Sequence, residues 1–182
     1  MSDLRSAAVP GPRPDDHVRG PEGAPLILFY ADFACPKCAL AHERLRHEEV
    51  QVVFRHFALK AKHPRAVALA RAAEAAGVQG AFWALADALY ADQGRLDDPH
   101  LWAHVQALGL DLERFEADRR AELAGLRVAR DVREALRGGA VATPTVWPAR
   151  ADGPLPDTMA RFGTSETNRP ADRRAGPERQ HL

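Results

Sequence analysis

Leu26-Ile27-Leu28-Phe29-Tyr30-Ala31-Asp32-Phe33-Ala34-Cys35-Pro36-Lys37-Cys38 decides how this chain folds. Its first five residues form a short, continuous apolar run, the pattern of a strand buried on both faces of a sheet. Pro36 suits the first turn of a helix, which the pattern carries to His47. Gln51-Val52-Val53-Phe54-Arg55-His56-Phe57 is β-branched and aromatic and reads as a second strand. Strand, helix, strand implies a parallel pair joined by a right-handed crossover.

Both cysteines of the chain therefore stand where a buried strand turns into a helix. A thiolate at a helix N-terminus is stabilised by unpaired backbone N–H groups and by the helix dipole. Lys37 adds positive charge nearby. Cys35, expected to be exposed at the helix end, is read as a nucleophile. Cys38, one turn in and shielded, is read as the thiol that resolves a mixed disulfide. Two other readings of the pair stay open. One is a metal site using Cys35, Cys38 and His42, although a structural zinc site wants a fourth ligand and no second CxxC is present. The other is an inert pair in a binding module that is non-catalytic or truncated. His42 reads as a surface or packing residue that is also placed to tune the thiols. His56 and His63 read as capping or packing residues within range of the thiols.

Outward from this motif, helical patterns run over Pro64 to Ala76, over Phe82 to Leu89, after an N-cap at Asp98, from Asp111 through Phe115, and through Val128, Val132, Ala135 and Leu136 to Gly138-Gly139. Val141-Ala142-Thr143-Pro144-Thr145-Val146-Trp147 then returns to extended character, because the residue before a proline is pushed out of the α region. Thr143-Pro144 is a candidate cis bond. The chain has 182 residues and 14 prolines, four of them before Ala24 and five after Trp147. This divides it into a flexible arm over 1–24, a domain over 25–147 with a helical insertion at about 62–138, and a tail over 148–182 too poor in apolar residues to bury a core.

With 25 basic and 25 acidic residues, charge gives no reason to expect nucleic acid or an anionic membrane as partner. No stretch approaches the roughly 18 apolar residues of a membrane span. The first residues show no signal-peptide core, so a cytoplasmic location is expected. No Gly-rich phosphate loop is present.

Asp32-Phe33-Ala34-Cys35-Pro36-Lys37-Cys38 after an apolar strand resembles the active site of the DsbA-like thioredoxin-fold oxidoreductases. Thr143-Pro144-Thr145 resembles their cis-proline loop. Phe54-Arg55-His56-Phe57, His63-Pro64, Gly80-Ala81-Phe82-Trp83, Gly109-Leu110-Asp111 and the lead-in Asp16 to Gly20 are similar too. Within the family the likeness is greatest to single-domain bacterial members and to thioredoxin domains appended to some sodium/proton antiporters. The resemblance implies an α/β thioredoxin fold with an α-helical insertion between the second strand and the cis-proline strand. It implies thiol–disulfide exchange through Cys35 and Cys38, with Pro36, Lys37, Thr143 and Pro144 shaping the substrate groove. Thr143 would pair its backbone with the substrate chain as an added strand. The implied partners are protein or low-molecular-weight thiols and disulfides and a further redox partner. No cofactor is implied, since the dithiol carries both electrons.

Two departures stand out. Many relatives carry a buried acid six residues before the first cysteine, where this chain has Phe29. Asp32, nearer the surface turn, is assigned instead to capping the active-site helix turn. After Trp147 the expected hairpin strand and final helix look missing or degenerate, which would leave a sheet edge unpaired and one face uncovered. A short turn at Met159 to Phe162 is the nearest substitute, and the abrupt change of composition suggests a divergent or frameshifted ending.

Overall fold

A computed structural model describes residues 8–149. Ten elements follow in order: β1 (His17–Arg19), β2 (Leu26–Ala31), α1 (Pro36–Leu45), β3 (Gln51–His56), α2 (Ala66–Val78), α3 (Phe82–Ala91), α4 (Asp98–Ala107), α5 (Leu112–Arg120), α6 (Glu122–Arg137) and β4 (Thr145–Pro148). The four strands form one sheet in the order β1-β3-β2-β4. β2 runs parallel to β3, with Leu26 opposite Gln51 and Ala31 opposite His56. β1 and β4 flank this pair antiparallel, and Tyr30 faces Thr145 across β2 and β4.

The apolar run of β2 is explained by its two buried faces. Ile27, Phe29 and Ala31 point with Val52 and Phe54 into a core shared with α1 and the helical insertion. Leu28 and Tyr30 point with Val53 and Phe57 to the other side, against Ala135 of α6 and Trp147 of β4. Each such fully buried large side chain contributes about 1.5–3 kcal/mol relative to exposure. Within the insertion, α2 is buried on several sides, and Ala66, Ala70, Ala72, Ala73, Ala75 and Ala76 are all in the interior. Their small side chains let α3, α5 and α6 close on α2 from different directions.

Helix starts follow side-chain chemistry. Asp111 caps α5 by accepting from the Arg114 N–H at 2.9 Å. The cap of α4 lies one residue earlier than expected. Asp97, not Asp98, accepts from the His100 N–H, while Asp98 binds Arg65 at 2.6 Å. The two neighbouring aspartates offer the same cap chemistry, and the second is engaged by Arg65 and Arg119 instead.

The stretch before Ala24 differs from the expected loose arm. His17–Arg19 forms edge strand β1 on β3. Gly20 follows at φ 129°, where a Cβ would lie 2.2 Å from the Val50 carbonyl oxygen, so only glycine fits this approach. Residues 8–16 lie along the second face of the sheet, where Val9 joins the core around Tyr30 and Trp147. The expectation of an uncovered face is corrected with it: α6 and this segment cover it. The tail from residue 150 onward, with the Met159–Phe162 turn and the missing hairpin strand and helix, lies outside the described residues. β4 itself extends through Pro148, and the Ala149 N–H donates to the Leu26 carbonyl at 3.0 Å.

Candidate active site

The turn from β2 into α1 carries the cysteines. The Cys35 N–H donates to the Asp32 carbonyl at 3.2 Å, and the Ala34 N–H donates to Asp32 Oδ1 at 2.8 Å. Gln93, two residues past the end of α3, pins the next carbonyl, donating to Phe33 O at 2.8 Å. The turn delivers Cys35 to the N-cap of α1, with Pro36 following it in the first turn. No oxygen side chain caps this helix, so its free N–H groups are left to the sulfur. Both cysteines are free thiols.

Their environments differ sharply. The Cys38 thiol donates toward Cys35 Sγ, and the backbone N–H groups of Cys38 and Lys37 add to it. Together these outweigh burial and lower the Cys35 thiol to about 5. Cys38 moves the other way: burial, then the neighbouring Cys35 sulfur, pushes its thiol far above the ordinary range. Cys38 is 0% exposed, and Cys35, expected at the open helix end, is only 5% exposed. The loop before β4 accounts for this correction, because the Thr143 carbonyl lies 3.7 Å from Cys35 Sγ. The Thr143–Pro144 bond is cis. Pro36 and Lys37 are exposed beside the sulfur, and Thr143 is buried against it.

His42 does not join the thiols. Its Nε2 meets Asp87 Oδ1 at 2.7 Å, and Asp87 is also held by Arg19 at 2.9 Å. The Arg19 guanidinium lies 4.3 Å from the centre of the Trp83 ring. This group ties α1, α3 and β1 together. Burial lowers the His42 imidazole below its usual value, partly countered by Asp87. Among the described residues no three His, Cys, Asp or Glu side chains are grouped to hold a metal ion, so the Cys35–Cys38–His42 reading has no geometric support.

His56 and His63 go different ways. His56 Nε2 faces Glu74 of α2 at 2.7 Å. His63 Nδ1 donates to Asp32 Oδ2 at 2.7 Å. Asp32 is not at the surface: it is 2% exposed, and its N–H donates to Cys38 Sγ at 3.5 Å. Reading the sequence separated these residues. The usable signal was His63 ahead of a proline, which points to an ordered turn near the strand ends.

A reactive low-pKa thiol beside a buried high-pKa thiol fits thiol–disulfide exchange. Comparison with known proteins agrees. Residues 13–148 match the family model Thioredoxin_4, described as thioredoxin. The chain is 43% identical over 141 residues to the Na(+)/H(+) antiporter NhaA 1 of Salinispora arenicola; the match covers 72% of this chain but 21% of the antiporter. The chain thus spans about a fifth of the length of such curated relatives. A thioredoxin-like oxidoreductase from Silicibacter pomeroyi superposes with a TM-score of 0.67 at 26% identity, covering 74% of this chain and 80% of that one. Pseudomonas aeruginosa DsbA2 superposes with a TM-score of 0.58 at 30% identity, covering 73% and 79%. With the sheet order, the inserted helices and the placement of the cysteine pair, these matches show that the chain belongs to the DsbA-like thioredoxin-fold family.

Proposed function

We propose that this chain is a thiol–disulfide oxidoreductase in which Cys35 is the nucleophile and Cys38 the resolving thiol. The Cys35 thiolate attacks a substrate disulfide, forming a mixed disulfide and releasing one substrate thiolate. Cys38 then bonds to Cys35, and the second substrate sulfur leaves. Two electrons pass to the substrate and the protein pair becomes a disulfide; the reverse sequence oxidises a substrate dithiol. The placement of Cys35 at the uncapped N-terminus of α1, with Cys38 buried one turn behind it and the cis Thr143–Pro144 loop against the sulfur, is the observation that carries this reading.

Pro36, Lys37, Thr143 and Pro144 border the sulfur and form the substrate groove, with the Thr143 backbone offered to an extended substrate. Exposed Leu40 on α1 and Val141 ahead of the cis bond add apolar surface suited to a protein substrate. The dithiol needs no cofactor, and its partners are protein or small thiols and disulfides with a separate redox partner to reset it. A cytoplasmic setting belongs to the same proposal and favours net reduction or isomerisation. Among the described residues no helix is long and apolar enough to cross a membrane. The antiporter match supports a second reading, in which an exchange module of this kind serves a cation transporter.

A redox titration in glutathione buffers, with acid quench, alkylation and intact mass, tests the first reading. A reversible two-electron transition that vanishes in Cys35→Ser is expected. Absence of a transition in folded wild-type protein would overturn it in favour of a non-catalytic binding module.

A further inference from the structure

The turn that carries Cys35 is fastened from two directions. Inside it, the Ala34 N–H donates to Asp32 Oδ1 at 2.8 Å and the Cys35 N–H to the Asp32 carbonyl at 3.2 Å. From the helical insertion, His63 meets Asp32 Oδ2 at 2.7 Å, and Gln93 Nε2 donates to the Phe33 carbonyl at 2.8 Å. The Phe33 carbonyl and the Ala34 N–H belong to one peptide unit. That unit is therefore held at both ends, its N–H by a close neighbour and its C=O by a side chain 60 residues away.

Packing of Phe33 does not achieve this by itself. Its ring is 1% exposed and stacks on Phe54 with centroids 5.0 Å apart, which fixes where the residue sits. A planar peptide unit can still rotate between two placed Cα atoms, and a hydrogen bond at each end stops that rotation. Gln93 is arranged for the task. Its Nε2 also donates to the Leu89 carbonyl at 2.9 Å, so both amide hydrogens are committed to carbonyls. Its Oε1 is buried and has no hydrogen-bond partner among the described residues. A buried acceptor left unmade costs free energy, and such a group needs a reason. The reason here is that the amide has to present its N–H groups to the turn.

The turn in its place sets the surroundings of Cys35 Sγ. α1 supplies the N–H groups of Lys37 and Cys38 and the Cys38 thiol, and the loop before β4 supplies the Thr143 carbonyl at 3.7 Å. The Tyr90 phenol of α3 lies in the field of both thiols and of Asp32, and burial keeps it neutral. The sulfur meets the α1 groups only while the Cys35 backbone keeps its N-cap position.

We infer that Gln93 is a positioning residue for thiol–disulfide exchange: by locking the Phe33–Ala34 peptide it holds Cys35 Sγ on the N–H groups that open α1. The inference rests on the exchange reading. Gln93 acts through the turn, and no bond forms or breaks at it. With the lock released, the turn samples orientations in which the sulfur leaves those N–H groups. The thiolate then loses stabilisation, and the disulfide form of the pair is favoured.

Gln93→Met keeps the length of the side chain and removes the donor. Iodoacetamide should report a Cys35 midpoint about one pH unit above wild type. The equilibrium with glutathione should move about tenfold toward the protein disulfide, the same change expressed as a ratio. Gln79→Met is the control. Gln79 clamps Asp111 elsewhere in the insertion, at 3.1 Å and 3.0 Å, and its loss should move neither reading. Folded Gln93→Met with the wild-type midpoint and equilibrium would overturn the inference and leave the exchange reading standing. So would an equal shift in Gln79→Met. If Gln93→Met does not fold, Gln93→Asn, whose amide falls one methylene short of both carbonyls, is judged by the same two readings. Absence of any glutathione transition in folded wild-type protein would sink the exchange reading itself, and this inference with it.

Discussion

Two polar clusters border the same strand pair and are put to opposite uses. On the second face of the sheet Arg55 is 0% exposed, and its guanidinium is saturated. It donates to Asp16 at 2.8 Å, to the Pro10 and Gly11 carbonyls at 2.7 Å each, and to the Tyr30 hydroxyl at 3.1 Å. At the end of β2, Asp32 is nearly as deep, but its chain of contacts is left open. Cys38 Sγ receives an N–H, Asp32 receives His63, and the His63 ring reaches solvent. A saturated buried ion pair has one arrangement and no proton to give, so it fixes geometry. The chain at Asp32 instead keeps one end in water. Burial alone does not separate these two clusters; completeness of hydrogen bonding does.

The most demanding check concerns the thiols at the open end. Iodoacetamide should modify Cys35 with a midpoint at about pH 5, against the ordinary thiol value of 9.0. In the folded protein Cys38 should react at least about a thousandfold more slowly at neutral pH, since the thiolate is the nucleophile. Equal rates at the two sulfurs would erase the contrast. At the closed cluster, Asp16→Ala leaves buried Arg55 with only Glu134, 3.9 Å away, as counter-charge. It should cost about 3–5 kcal/mol in denaturant unfolding, with the Cys35 titration unmoved. A loss below about 1 kcal/mol would place that pair with ordinary surface bridges.

Glu74 adds a third cluster. Burial raises its carboxyl, but hydrogen bonds from His17 at 3.0 Å and His56 at 2.7 Å outweigh it and hold the group below its ordinary 4.5. A depressed carboxyl stabilises the fold above its unfolded value and loses that contribution as pH falls through the folded one. Stability should therefore decline by about 2 kcal/mol as pH drops below about 4.5, and Glu74→Gln should flatten that slope in an acid titration followed by circular dichroism. The smallest effect belongs outside every cluster. Asp111→Ala removes only the cap of α5 and should cost about 1 kcal/mol, with exchange rates unchanged.

How much of this was legible in the sequence follows the reach of each signal. The strand at Leu26–Tyr30, the helix at Pro36 and the extended return from Val141 are local patterns; the structure holds the first two within a residue or two, and the return becomes a strand from Thr145. The position of the cysteines between strand and helix was equally local. What sequence could not supply is pairing across distance. Residues 8–16 read as loose because Pro and Gly dominate them, yet their packing depends on a guanidinium 39 residues from Asp16. Asp32 and His63 stand 31 residues apart, and neither marks the other. Cys35 was expected in the open because the covering carbonyl comes from Thr143, 108 residues along the chain.

The contacts of Arg55 with Pro10 and Gly11 go to backbone carbonyls. A carbonyl is the same whichever side chain it carries, so this clamp is blind to amino-acid identity at both positions. Mutational scanning across 10 and 11 should thus find wide tolerance, whereas deleting or inserting a single residue there would shift both acceptors out of reach. Positions 10 and 11 are constrained in length while remaining free in composition, a pattern of variation opposite to that imposed by the cysteine turn.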